Sequence, residues 1–469
     1  MNVADKIAYR AKLEPELPAI IAGTSVVTFG MLEIATRSVA ARVAAFELAP
    51  GAIVGVSIKA PARHLAVSLA LMRMGLVAAP FSNEAGLANL GDVAMALADQ
   101  QFPMPAGRLC LVVDEAWFAQ EAPALPARPT APSAPCRIVM SSGTTGRPKP
   151  LLLSMAAFEL QLYGVELQLT ASGQWSRGLV MMDLNASWSF FITVAALLNG
   201  RTMCFAANPT DTLRVMSVYG CQYLMGSVFQ IRSLVDAQRE HYVPLPALAG
   251  ITMGGSVITT QLLADIQAML TRRIVMAYGS AEIGSVAVEI VGGDPATDGA
   301  AGYVQPNVEL EVIGEDGTVL PAGQSGRIRM RTDFTAAPAD GSPLGEDGWF
   351  VPGDVGHLDE AGRLYITGRT TDLINVGGAK IAPDRIEQVI LQYPGIVDAA
   401  VVGVPDGRGG DAVVAAIVSK GNLDVEALGA FCANAFRIAP ISRFVPIDKV
   451  PRGLTGKVVR PLLAQMLGS

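Results

Sequence analysis

Short apolar runs alternate along this chain with Ala/Leu-rich stretches, and that alternation constrains the fold more than any other feature. Residues 53–58 (IVGVSI) and 109–113 (LCLVV) read as strands, while residues 64–74 (HLAVSLALMRM) read as a helix. Strands that are apolar throughout, with no polar face, must be covered on both sides, which predicts an α/β class with largely buried sheets. The composition agrees, since 51% hydrophobic and 16% charged residues exclude a disordered or fibrous chain.

The 469 residues allow two or more cores. Residues 103–135 hold seven of the 30 prolines and read as a long surface connection. After Gly299 the texture changes to turn-punctuated strands (VELEVIGEDG, GRIRMRT, GRLYITGR), which predicts a β-rich subdomain at 302–368 within a large domain of residues 1–368. Past it comes a short α+β unit, 369–469, with a helix beginning at Pro383 and strands near 397–404 and 412–418. No internal repeat is visible. Residues 184–200 (LNASWSFFITVAALLNG) carry no charge, but their polar residues break the span of about 20 apolar residues that a membrane helix requires. They read as a buried helix.

A net charge of −7 offers no footprint for nucleic acid. The five cysteines show no paired spacing and suit reduced core thiols in a cytoplasmic protein. The first residues carry Asp5 and Glu14 and no signal-peptide core, so secretion is not expected.

Residues 141–150 read SSGTTGRPKP directly after the apolar IVM. Such a loop can turn backbone N–H groups and hydroxyls toward phosphate oxygens or a Mg²⁺ ion, with Lys149 adding charge. It is not the P-loop G-x-x-x-x-G-K-[ST]: the second glycine position holds Pro148 or Leu151, depending on the starting glycine. A solvated turn is the plain alternative.

Four further stretches follow in order: YGSAE at 278–282, WFVPGD at 349–354, GRTTDLINVGGAKIAPDRIE at 368–387 and PRGLTGKVVR at 451–460. Together with the loop they resemble the signature set of the adenylate-forming (ANL) superfamily, which includes acyl-CoA and aryl-CoA synthetases, luciferase and peptide-synthetase adenylation domains. The resemblance spans nearly the whole chain. It implies a large N-terminal domain of α/β layers and a small mobile C-terminal lid hinged near Thr371. It also implies ATP-dependent conversion of a carboxylic acid to acyl-AMP with loss of pyrophosphate, followed by attack of the CoA thiol.

By the same resemblance, Ser141, Ser142, Gly143, Thr144, Thr145, Gly146 and Lys149 hold the β- and γ-phosphates. Glu282, with Thr145, binds Mg²⁺. Tyr278, Gly279 and Ser280 lie along adenine on one side, and Gly254, Gly255 and Ser256 on the other. Asp354 and Arg369 take the ribose, Lys457 bridges the substrate carboxylate and the α-phosphate, and Gly377 and Gly378 line the thiol channel. Taken singly, these residues have plainer readings: a helix N-terminal acid for Glu282, ordinary turns for the glycines, a solvated cation for Lys457.

The sequence departs from the pattern in places. Pro150 replaces a glycine, removing one donor. Where relatives carry a histidine at the acyl pocket, this chain has Asn185, Ala186 and Trp188. The chain is also short between Pro80 and Cys136 and around residues 332–347. Two alternatives remain open at this point, transfer to a carrier-protein phosphopantetheine arm and a nucleotide-binding pseudoenzyme.

Overall fold

The computed structural model describes residues 2–119, 122–123, 130–141, 149–256, 258–291, 300–370, 372–376, 379–405, 411–421, 423–435, 441–453 and 457–468. Two sheets with helices between and outside them make up the larger part. In the 13-stranded sheet, the six strands Pro18–Ala22, Thr202–Phe205, Arg177–Val180, Tyr223–Ser227, Gly250–Gly254 and Ile274–Ser280 run parallel. These strands are almost wholly buried, as their uniform apolarity requires. The 7-stranded sheet has a parallel centre and carries the antiparallel pair Pro135–Met140 and Pro150–Ser154, the two strands that flank the phosphate-loop sequence.

The helices Met155–Ala171 and Ser187–Leu198 lie between the sheets in one core that takes Val139 and Leu153 from the smaller sheet and Val180, Met203 and Tyr223 from the larger. Residues 184–200 therefore form a buried helix. Among the described residues, no helix is long and apolar enough to cross a membrane. All five cysteines are buried and free.

Two expectations need correction. Within residues 103–135 the expected strand forms, Leu109–Val112 at the edge of the smaller sheet, but the rest is not a bare connection, because Ala116–Ala119 adds a short helix. The strands after Gly299 keep a small core of their own around Val286, Ile328, Met330 and Leu364. Their hydrogen bonds nevertheless continue the large sheet, through Gly284–Val291 and Ala300–Val304 to Arg363–Arg369.

After Arg369 come a hairpin, Ile374–Val376 with Ala379–Ile381, and a three-stranded sheet of Ile396–Pro405, Asp411–Ser419 and Arg443–Pro446. Pro383 opens the helix Pro383–Ile390, which buries Ile386 and Ile390 against that sheet.

Candidate active site

The polypeptide turns sharply twice beside the ends of the parallel strands. Gly254 ends its strand so close to the next that a Cβ would lie 2.4 Å from the Ala277 carbonyl oxygen. Gly255 follows with a φ of +89°, which favours glycine. At Gly279 a Cβ would meet the Gly284 oxygen at 2.3 Å. Only glycine lets the 274–280 and 284–291 strands close this tightly, and the hairpin turn between them carries Glu282.

Glu282 is buried, at 9% exposure, and sits in that turn rather than at a helix N-terminus. Burial raises its carboxyl pKa, opposed by its own backbone N–H, the Ser280 hydroxyl, Arg369 and Lys457. It forms no ion pair among the described residues. Ser280 also accepts a hydrogen bond from the Ile283 N–H at 3.3 Å.

Asp354, 8% exposed, begins the strand Asp354–Leu358 and faces Arg369 at the end of its antiparallel partner. Tyr278 donates its hydroxyl to Asp354 Oδ2 at 2.6 Å, and Arg369 Nε donates to Oδ1 at 2.7 Å. Burial, and then Asp354, push the Tyr278 phenol well above its ordinary value, so it stays a donor. Each carboxylate oxygen keeps a lone pair for a further donor.

From the small domain, Lys457 enters this same group. Its ammonium pKa is lowered by burial and by Arg369, and supported by Asp354, Asp384 and Glu282. A cleft of about 460 Å³ is lined by Gly255, Ser256, Tyr278, Gly279, Asp354, Arg369 and Lys457. Residues far apart in sequence thus converge on one space, in which Lys457 joins the Asp354–Arg369 pair, with the Glu282 carboxylate near enough to act on the Lys457 charge.

The remaining expected residues stand as follows. Ser141 is buried and donates its N–H to the Lys149 carbonyl at 2.9 Å, closing the base of the loop, and Lys149 is exposed. Ser142, Gly143, Thr144, Thr145 and Gly146 lie outside the described residues, as do Thr371, Gly377 and Gly378. Pro150 pairs with Met140, and its carbonyl accepts from the Ala339 N–H. Asn185, Ala186 and Trp188 lie at and just inside the N-terminus of the helix Ser187–Leu198. Asn185 reaches Ser82 at 3.4 Å, Ala186 is in the core, and the Trp188 ring packs against Gly254.

Sequence reasoning missed Gln161, Gln168, Ser285 and Gln305, buried polar residues in or hydrogen-bonded to the hairpin that carries Glu282. A signal was present in two glutamines seven residues apart on one face of an apolar helix, with Gly164 between them.

A family model described as "AMP-binding enzyme" matches residues 7–337, and one described as "AMP-binding enzyme C-terminal domain" matches 385–457. The chain belongs to the AMP-binding enzyme family. Among members of this family, it is 30% identical over 363 residues to the indoleacetate–CoA ligase of Aromatoleum aromaticum, a match covering 71% of this chain and 68% of that protein. It is 26% identical over 351 residues to a 4-chlorobenzoate–CoA ligase of Arthrobacter sp., covering 71% of this chain and 66% of that protein. These matches span about two thirds of the relatives' length. The o-succinylbenzoate CoA synthetase of Bacillus subtilis, solved with its acyl-adenylate intermediate, superposes with a TM-score of 0.85 at 22% identity, covering 98% of this chain and 97% of that one. The fold is that of the adenylate-forming enzymes.

Proposed function

We propose that this protein is an AMP-forming acid–thiol ligase that joins a small carboxylic acid to AMP from ATP, releases pyrophosphate and passes the acyl group to the thiol of CoA. The observation that carries the reading is Lys457 of the small domain, half-buried on the wall of the same cleft as Tyr278, Asp354 and Arg369 of the large one and near enough for Asp354 and Glu282 to act on its charge. A binding-only protein has no use for a desolvated ammonium there. An enzyme that must neutralise a carboxylate and a phosphate approaching each other does.

The roles divide by charge. Lys457 sits between the attacking carboxylate oxygen and the α-phosphate, where negative charge concentrates as the phosphorus–oxygen bond forms. Asp354 accepts the ribose hydroxyls with its spare lone pairs, held in place by Tyr278 and Arg369. Gly254, Gly255 and Ser256 bound the purine opposite Tyr278, Gly279 and Ser280. Residues 141–149, closed at the base by the Ser141–Lys149 hydrogen bond, take the departing pyrophosphate.

Glu282 and Thr145 are the metal ligands. Glu282 fits Mg²⁺, which binds through one or two carboxylates together with substrate phosphates, because its buried carboxylate is tied into no ion pair among the described residues. Bound there, Mg²⁺ supplies charge neutralisation on the phosphate oxygens. Among the described residues no group of three or more His, Cys, Asp or Glu side chains gathers at any one place.

Residues 369–469 act as a lid hinged at Thr371, and Gly377 and Gly378 admit the thiol after the lid turns. Five buried free cysteines support a cytoplasmic location.

The deciding experiment is pyrophosphate release across a panel of carboxylic acids, run alone, with CoA and with a phosphopantetheinylated carrier protein. Release that depends on the acid, with thioester forming on CoA, is expected. Thioester on the carrier alone would reassign the acceptor, and no acid-dependent release at all would replace the enzyme reading with a binding role.

A further inference from the structure

Lys457 reaches the cleft from a short antiparallel pair of the small domain. Arg452 bridges Val458, the Gly453 N–H donates to the Lys457 carbonyl at 2.9 Å, and the Val459 N–H donates to the Pro451 carbonyl at 2.9 Å. With the two arms tied in this way, whatever fixes Arg452 also fixes Lys457 on the facing arm.

Arg452 is held from both domains. Within the small domain its guanidinium donates to Asp398 on the strand Ile396–Pro405, Nη2 to Oδ1 at 2.6 Å and Nε to Oδ2 at 3.1 Å, a bidentate pair that sets the guanidinium plane. Both partners are mostly buried. From the large domain, the Phe229 ring lies 4.6 Å from the guanidinium carbon. Phe229 stands in the first turn of the helix Val228–Glu240, at the end of the strand Tyr223–Ser227, and Arg232 follows one turn later. Burial lowers the Arg232 pKa, while Asp236 and Asp398 support its charge and Arg452 opposes it, so the Asp398–Arg452 pair lies close against this helix. Phe229, Arg452 and Lys457 line the same cleft.

A guanidinium can keep its in-plane hydrogen bonds to a carboxylate while its face rests on an aromatic ring, so the stack adds attraction between the domains without disturbing the Asp398 pair. It also fixes where that plane sits relative to the large domain. We propose that Phe229 is a positioning residue for acyl-AMP formation, its ring setting, through Arg452, where the small domain places Lys457 in the cleft. The inference rests on the ligase reading and deepens it.

The test measures both half-reactions, acyl-AMP formation from acid and ATP and thioester formation from a supplied acyl-AMP, in Phe229→Leu, Phe229→Tyr, Lys457→Ala and the double variant Phe229→Leu with Lys457→Ala. Phe229→Leu should lower kcat for acyl-AMP formation by about 5- to 30-fold, the range of a partly desolvated cation–π contact. KM for acid and ATP should stay within about twofold, and the supplied acyl-AMP should react at the wild-type rate. Phe229→Tyr keeps the ring and should restore the first step. In the Lys457→Ala background, Phe229→Leu should cost less than about twofold further, because a residue acting through Lys457 has nothing left to position. Full additivity in the double variant overturns the proposal while leaving the ligase reading intact. So does a changed ranking of acids in Phe229→Leu, which would put the ring on the acid itself, or equal loss in both half-reactions with a lowered melting temperature, which marks a purely structural ring. Absence of acyl-AMP formation by wild type with any acid removes the ligase reading and this inference with it.

Discussion

Two residues carry burial costs that a titration can expose. Glu282 is held neutral-leaning by burial, so in the folded state it binds its proton more tightly than in the unfolded chain. Folding is therefore penalised as pH rises above the ordinary carboxylate value of 4.5, and the penalty disappears below it. Glu282→Gln should raise the melting temperature at pH 7.5, with the gain vanishing near pH 4. The same variant should need about tenfold more Mg²⁺ for pyrophosphate release, and an unchanged Mg²⁺ dependence would take Glu282 out of the metal site. His64 shows the opposite sign. Burial, and then the Arg137 charge, depress its pKa from 6.5 to about 3. The unfolded chain thus binds the extra proton between those values, and stability should fall by about 1.4 kcal/mol per pH unit on acidification through that window. Arg137 itself is 1% exposed and stacks 3.5 Å from the centroid of Phe190. Replacing it in Arg137→Met should shrink the acid-sensitive window, measured as the slope of the denaturant midpoint against pH.

At the scale of elements, the 274–280 and 284–291 hairpin is the part of the scaffold that places Tyr278 and Glu282 together. Its closeness depends on Gly279. A methyl group there would stand 2.3 Å from the Gly284 oxygen, and backbone atoms on both sides cannot swing away as a flexible side chain would. Gly279→Ala should cost about 1–3 kcal/mol of stability by overpacking. It should also separate Tyr278 from Asp354 and lower adenylation at saturating acid. A denaturant midpoint within error of wild type would show that the hairpin can open at no cost. The helix Met155–Ala171 makes the complementary contribution, with Gln161 bonding the Ala281 carbonyl at 3.2 Å and bracing the same turn from beneath.

Across the whole molecule, the arrangement joins the small domain to the large one through Lys457 in the cleft, Arg452 stacked 4.6 Å from the centroid of Phe229, and an exposed Lys420–Glu240 pair at 2.9 Å. The exposed pair contributes little, so the closed form depends on the buried contacts. Lys457→Ala should slow acyl-AMP formation by about 10²- to 10³-fold, the usual loss for a charge-stabilising group. A supplied acyl-AMP should still become thioester at near wild-type rate, because the role proposed for Lys457 is confined to the first step. Rapid-quench measurement of both half-reactions decides this, and equal loss in both would mean that a single closed state serves the two steps.

The class of the fold was legible in one dimension because burial on both faces demands strands that are apolar throughout, and the run at 53–58 is of that kind, whereas the equally apolar run at 109–113 forms an edge strand with Leu109 and Val112 exposed. The glycines at 254, 255 and 279 and the ordered motifs were equally legible, since close backbone approach leaves no substitute for glycine and the motif order is itself written in the chain. The continuation of the large sheet through the strands after Gly299 was not, because a strand's sequence reports its exposure and not its neighbour. Nor was the buried hydrogen-bonded cluster at Ser285. Gln168, Ser285 and Gln305 come from three separate elements, and nothing in any one of them says that their amides and hydroxyl will meet. That meeting, and the approach of Lys457 to the Asp354–Arg369 pair, were decided only when packing fixed which faces touch.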